Sequence, residues 1–217
     1  TGRVRRPLAV QWLVTAACDL HCPHCYSEAG RRVANELTTT EAKRLVIDEL
    51  VALGCKNLVL AGGELWLRRD IPELIAYAAS RGLSWSMHTH GLHVPRYREI
   101  LARCPPVLAA ISLDDVGNQH DDFRGRVGSY AGALEGIRVL KEIGCPEVVA
   151  GTTVTRRNAD RLAALFPVVA DSGADAWGLH LFAPEGRGHE HLDLQPTPDQ
   201  LRRVAAFAQR KRRSFHV

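Results

Sequence analysis

Between residues 15 and 27 the chain reads TAACDLHCPHCYS. Cys18, Cys22 and Cys25 follow a C-x3-C-x2-C spacing, with His21 and His24 interleaved. Thiolates are soft ligands that suit zinc or iron–sulfur clusters. Structural zinc takes four closed protein ligands, and here only His21 or His24, each wedged between cysteines, stands near enough to be a fourth. A four-iron cluster has four corners, so three thiolates leave one iron open to a substrate or cofactor. The other cysteines, Cys55, Cys104 and Cys145, each fall near the end of a predicted helix and read as small buried residues. Clustering of half the thiols in one loop argues against a disulfide framework.

The elements that must position this loop show as a repeating pattern. VIDELVALGCKNLVLAGGE (46–64) and GIRVLKEIGCPEVVAGTTV (136–154) share one grammar: a helix-period apolar stripe, Gly, Cys, then a short β-branched run. Gly54 and Gly144 suit the left-handed position past a helix end. The grammar recurs before Gly82 and Gly173, and Pro105-Pro106 stops a further helix. The pattern predicts strands near 8–16, 58–61, 84–89, 107–113, 148–154 and 176–182. It predicts helices near 39–53, 71–81, 96–103, 129–143, 159–172 and 197–213, the first capped by the run Thr38-Thr39-Thr40-Glu41. Strands apolar almost throughout imply a parallel sheet covered on both faces. This is an α/β chain of about six (βα) units, either an open doubly wound sheet or an incomplete barrel.

In both architectures ligands gather at the C-terminal ends of the strands. Those ends carry the cysteine loop, AGGE (61–64), THG (89–91), SLDD (112–115), TTVT (152–155) and LFAPEGRG (181–188). The unusual residues therefore share one rim.

Composition narrows the classes. At 217 residues, 46% hydrophobic and 24% charged, the chain is an ordinary globular one. No apolar run reaches bilayer length, and the N-terminal stretch lacks a cleavage site, so the expected location is cytoplasmic. The net charge of +4 is spread out except in RRVAAFAQRKRRS, which reads as the solvated face of a terminal helix. No recognition-helix pattern or aromatic–basic interleaving points to nucleic acid.

CDLHCPHCY resembles the signature loop of the radical S-adenosylmethionine (SAM) enzymes. The resemblance continues in order through AGGELWLRRDIPEL (61–74), SLDD with HDDFRG (112–125) and SYAGALEGIRVLKEIG (129–144), covering nearly the whole chain. It implies a partial (βα)6 TIM-type barrel with parallel strands. It also implies that Cys18, Cys22 and Cys25 hold a [4Fe-4S] cluster whose open iron chelates SAM, and that reductive cleavage yields a 5′-deoxyadenosyl radical that takes hydrogen from substrate. Tyr26 matches the aromatic position near the adenine. Gly62 and Gly63 match residues that let the backbone approach the SAM amino group, and Glu64 belongs to the same segment. Ser112 and Asp114 match positions near the SAM ribose and carboxylate, and Arg124 an arginine that grips that carboxylate. The family implies an electron donor such as flavodoxin or ferredoxin.

Three positions depart from the family's pattern. Leu65 stands where Pro is common, His90 where Thr-Asn-Gly has Asn, and Asp115 where a turn often has Gly. His90 is expected to replace the Asn contact or to act on substrate; His88 and His93 read as structural or solvated. Residues 1–196 form the expected core and 197–217 a basic helix, after which the peptide-modifying branch carries a cysteine-rich SPASM or twitch extension with auxiliary Fe-S clusters. The leading expectation is modification of a ribosomally made peptide. The alternatives are modification of a tetrapyrrole side chain in haem-type biosynthesis and a non-enzymatic zinc module.

Overall fold

The computed structural model describes residues 7–211. The first basic residues, SFHV and the last two positions of the predicted terminal helix lie outside the described residues. Six strands, β1 (Ala9–Leu13), β2 (Asn57–Ala61), β3 (Ser84–Thr89), β4 (Leu108–Ser112), β5 (Val148–Val154) and β6 (Ala176–Leu181), form one sheet in sequence order. Every neighbouring pair is parallel. Helices fill the crossovers, as parallel strands require.

The first helix runs through 39–52, with a π-helical stretch over Ala42–Asp48 that the apolar period did not foretell. Thr38 caps it in a full capping box with Glu41. Gly54 and Gly144, at φ 73° and 79°, take the left-handed turn expected after their helices. Further helices span Ile71–Ser80, Arg98–Arg103, Ser129–Glu142, Leu162–Asp171 and Pro198–Lys211. One more, Asn118–Arg124, falls outside the predicted helices; its seven polar-rich residues carry no apolar stripe.

The strands alternate. Leu58, Leu60, Trp85, Met87, Ile111 and Trp177 point to the helices and belong to one continuous core. The opposite parity is another matter. Register aligns Val59 with Ser86, Ser112 with Gly151, and Gly151 with Gly178. This inner face also carries His88, Thr153 and His180, and none of its strand residues is Asp, Glu, Lys or Arg. The expectation of strands covered on both faces is thus corrected: helices cover one face, and the other mixes small and polar residues with Leu13, Val59, Leu108 and Val149, none of them fully buried.

β1 and β6 are the outermost strands. Five interstrand spacings would part them by about 24 Å in a flat sheet. Yet Arg187, just beyond β6, donates to the carbonyls of Cys22 (2.8 Å) and Ala29 (2.5 Å) beyond β1. The sheet must curve for these loops to meet, which makes it a partial barrel with an open side. Cys55 and Cys145 are buried and Cys104 half-buried, all as free thiols.

Candidate functional site

The cysteine loop hangs from a stem at the end of β1. Ala17 bridges Gly30, and Cys18 N–H donates to Gly30 O at 2.8 Å. The loop is then pinned from three sides. Gly63 and Glu64 N–H donate to Thr15 O (2.8 Å) and Ala17 O (2.7 Å). His21 N–H donates to Arg124 O at 3.0 Å, and Arg187 clasps the far side, its own N–H donating to Cys25 O at 2.9 Å. In the sequence Arg187 stands only as part of a rim segment; its partner Cys22 lies 165 residues away, a pairing no local pattern encodes.

Each thiol has its own donor. Leu20 N–H approaches Cys18 Sγ at 3.5 Å, Arg124 Nη1 approaches Cys22 Sγ at 3.7 Å, and Ala29 N–H approaches Cys25 Sγ at 3.4 Å. Glu28, the one described non-glycine residue with positive φ (51°), turns the chain back so that Ala29 can reach the sulfur. Burial pushes the Cys18 thiol up to about 11, and burial likewise raises Cys22 against the pull of Arg124. Thiols this buried ionise only against a cation, as metal ligands do. Three unpaired sulfurs with N–H donors aimed at them fit a thiolate-ligated cluster.

Gly62 and Gly63 are needed for a reason the sequence could not display. A Cβ on Gly62 would lie 2.5 Å from Thr15 O, and one on Gly63 would lie 2.1 Å from Ala17 O. Glycine here lets the end of β2 press against the stem of the cysteine loop. Glu64 is fully buried. Its carboxylate accepts from Thr89 Oγ1 (2.7 Å to the nearer oxygen), His90 N–H (3.1 Å) and Trp66 N–H (3.5 Å). It ties β2 to β3.

Asp114 and Arg124 form a buried pair, with Arg124 Nε and Nη2 at 2.6 and 2.5 Å from Asp114 Oδ2. Burial works against the Asp114 charge, but the Arg124 guanidinium holds its carboxyl well below the usual carboxylate range. Asp114 Oδ1 also accepts from Thr153 N–H at 2.8 Å. Ser112 closes β4 on the inner face, half-buried. Tyr26 is half-exposed and its hydroxyl accepts from Gln11 Nε2 at 3.3 Å. Asp115 ion-pairs with Arg161 at 2.8 Å and keeps a negative φ, so the turn needs no glycine.

His90 is buried, with Nε2 at 3.0 Å from Asp19 Oδ1 and 3.1 Å from Glu64 Oε2. His93 Nε2 meets the other Asp19 oxygen at 2.9 Å, joined there by Arg126. Against burial, His90 and His93 hold the Asp19 carboxyl well below the usual range. His24 stacks flat on Phe123 at 4.6 Å, and its Nδ1 is buried without a hydrogen-bond partner among the described residues. A cleft of about 190 Å³ between Asp115, Gln119, Asp122, Arg157 and Arg161 adjoins the site through Asp114 and Phe123, though none of the cysteines lines it.

Comparison with known proteins follows the same rim. The family model described as the Radical SAM superfamily matches residues 12–166. An AdoMet-dependent heme synthase of Methanosarcina barkeri is 35% identical over 193 residues, covering 88% of this chain and 55% of that protein. Mycofactocin maturase MftC of Mycolicibacterium smegmatis is 33% identical over 201 residues, covering 91% and 50%. The chain spans about half the length of these curated relatives. Among solved structures, Streptococcus suis SuiB bound to S-adenosylmethionine aligns with a TM-score of 0.78 at 16% identity, over 96% of this chain and 48% of that one.

Proposed function

This chain belongs to the radical SAM superfamily, and from that premise we propose that it is a radical SAM enzyme that modifies a ribosomally synthesised peptide. Membership implies a [4Fe-4S] cluster and SAM. When both are bound they supply reductive cleavage of SAM and hydrogen-atom abstraction from the substrate. The observation that carries the reading is the loop of three thiols, each with its own donor, held over the open inner face.

Cys18, Cys22 and Cys25 would hold three irons. The amides of Gly63 and Glu64 are already bonded to the loop stem. Gly62 and Gly63 therefore offer an ammonium group their carbonyls. Asp114 engages Arg124 through Nε and Nη2, which leaves Nη1 for the Cys22 sulfur and the SAM carboxylate. Glu64, fully bonded inside the protein, acts by shaping the rim. Tyr26 and Ser112 stand on the open side, where adenine and ribose would lie. The inner face is the substrate's space, and a small reductant such as flavodoxin or ferredoxin would deliver the electron.

The peptide reading draws on maturase relatives, MftC and the Bacillus subtilis sporulation killing factor maturation protein SkfB, 32% identical over 169 residues. A second reading is modification of a tetrapyrrole side chain. It is favoured by the heme synthase relative and by His88 and His180 on the inner face, since imidazoles suit iron.

Anaerobic reconstitution tests the reading. We expect iron and sulfide at about four each per chain and 5′-deoxyadenosine on reduction with SAM. Cys22→Ala should lose both while keeping its circular dichroism. Zinc without iron or sulfide would sink it. Mass change in a candidate precursor peptide, against mass change in an iron-bound tetrapyrrole, separates the two substrates.

A further inference from the structure

The bond pattern around His90 fixes its tautomer. Its Nδ1 accepts from Leu92 N–H at 3.3 Å, so the ring proton sits on Nε2. That N–H meets Asp19 Oδ1 at 3.0 Å, while the backbone N–H of His90 donates to Glu64 Oε2 at 3.1 Å and the ring stands within ion-pair distance of the same oxygen. Asp19 directly follows Cys18, and ligand atoms of Cys18, Asp19 and His90 all lie within 4.8 Å of one another. Two carboxylates thus stand close to the first thiol, with His90 tied to one by its ring and to the other by its backbone. The outer oxygen of Asp19 has Arg126 and His93, whereas the donors on Glu64 are the Thr89 hydroxyl and the backbone amides of His90 and Trp66.

We propose that His90 is a positioning residue that joins Asp19 to Glu64 and so sets the electrostatic field at the Cys18 side of the cluster, and with it the reduction potential. The proposal rests on the reading that Cys18, Cys22 and Cys25 hold an iron–sulfur cluster. Hydrogen bonds and nearby charge are among the levers that move such potentials. Reduction adds negative charge. A carboxylate at Cys18 opposes it, and the His90 dipole moderates that opposition. His90 also fixes Asp19 to the end of β3, so the charge cannot swing away into water.

The signs of the effects follow. His90→Phe removes the ring donor from Asp19 and shifts the midpoint downward. Asp19→Asn removes one negative charge and shifts it upward. His90→Gln places an amide N–H where Nε2 stood and restores the value of the unaltered protein. Simple loosening of the loop would move the Phe and Asn variants the same way, and Gln would rescue neither.

The experiment is a dithionite redox titration of the reconstituted protein, followed by electron paramagnetic resonance, with iron and sulfide counted for each variant. Opposite shifts with rescue by Gln support the proposal. Unchanged midpoints at full iron content, or shifts of one sign, overturn it. If His90→Phe takes up no iron, Asp19→Asn and His90→Gln decide: an upward shift for the first and none for the second support it, and any other pair of results overturns it. Absence of any cluster in the unaltered protein would instead defeat the underlying reading.

Discussion

On the helix side of the sheet, Trp85, Ile111 and Trp177 are closed off from solvent; on the inner side, Gln11, His88 and His180 stay exposed and Ser112, Gly151 and Gly178 half-buried. A complete TIM barrel packs its interior with layers of bulky branched side chains. This sheet keeps one continuous core, on the outside, between strands and helices. Stability and function are thereby divided by strand parity. A residue's position within its strand, odd or even, decides whether it holds the fold or faces the space beneath the cysteine loop.

The sharpest way to break that division is to exchange the cost of the two faces. Trp177 is buried, packs against Phe166 and Phe207, and donates to Thr152 Oγ1 at 2.8 Å. Trp177→Ala should cost about 3–5 kcal/mol, the range for deleting a large buried aromatic. Ser112→Ala, on the inner parity two strands away, should stay within about 0.5 kcal/mol. Urea unfolding of both variants measures the contrast. Comparable losses would mean that the inner face is also core.

The sequence carried the fold well where local signals existed. β2, β3, β4, β5 and β6 lie within a residue of their expected spans, since apolar runs and post-helix glycines mark them. β1 is shorter than 8–16 because its ladder to β2 stops at Leu13 and Ala61. Beyond that point the chain belongs to the loop stem. The cysteines, Gly62-Gly63 and the Asp114–Arg124 segment were legible through their ordered motifs. What those residues do for one another was not. The clash that requires Gly63, the burial of Glu64 and the clasp of Arg187 arise from contacts between distant strand ends. Residue types alone showed a rim of polar groups, and folding shows that many of them hold each other.

His120 lies on the buried side of the helix Asn118–Arg124, and its Nδ1 accepts from Asp114 N–H at 3.1 Å. Burial first, then the charge of Arg124, lowers its pKa from 6.5 to about 4. The fold therefore holds it neutral, while the unfolded chain takes up a proton below its ordinary value. Stability from this source is present in full above pH about 6.5 and is lost as pH falls through about 4, by about 3 kcal/mol in all. His120→Asn keeps an acceptor near the Nδ1 position and removes the titration. Unfolding free energies measured across that window should show a shallower acid slope for the variant. An unchanged slope would remove His120 from the account.

The smallest effect on stability, and the most informative about the inner face, is expected at His180. This ring is exposed, and on the same parity as Thr153 and Gly178. Across the space stands His88, whose pKa burial and then the charge of His180 push downward. The His88 ring is thus held towards the neutral form, free to accept a hydrogen bond or a metal from whatever enters. His180→Ala removes little buried surface, so its urea midpoint should match the parent within about 0.5 kcal/mol. The cost should fall on coupling: SAM cleavage continues, since the cysteine loop is untouched, but product per 5′-deoxyadenosine drops. Equal coupling in the variant would show that the substrate does not use this wall. A fall in SAM cleavage itself would show that the inner face supports the cluster loop as well as the substrate, and the division by parity would have to be redrawn.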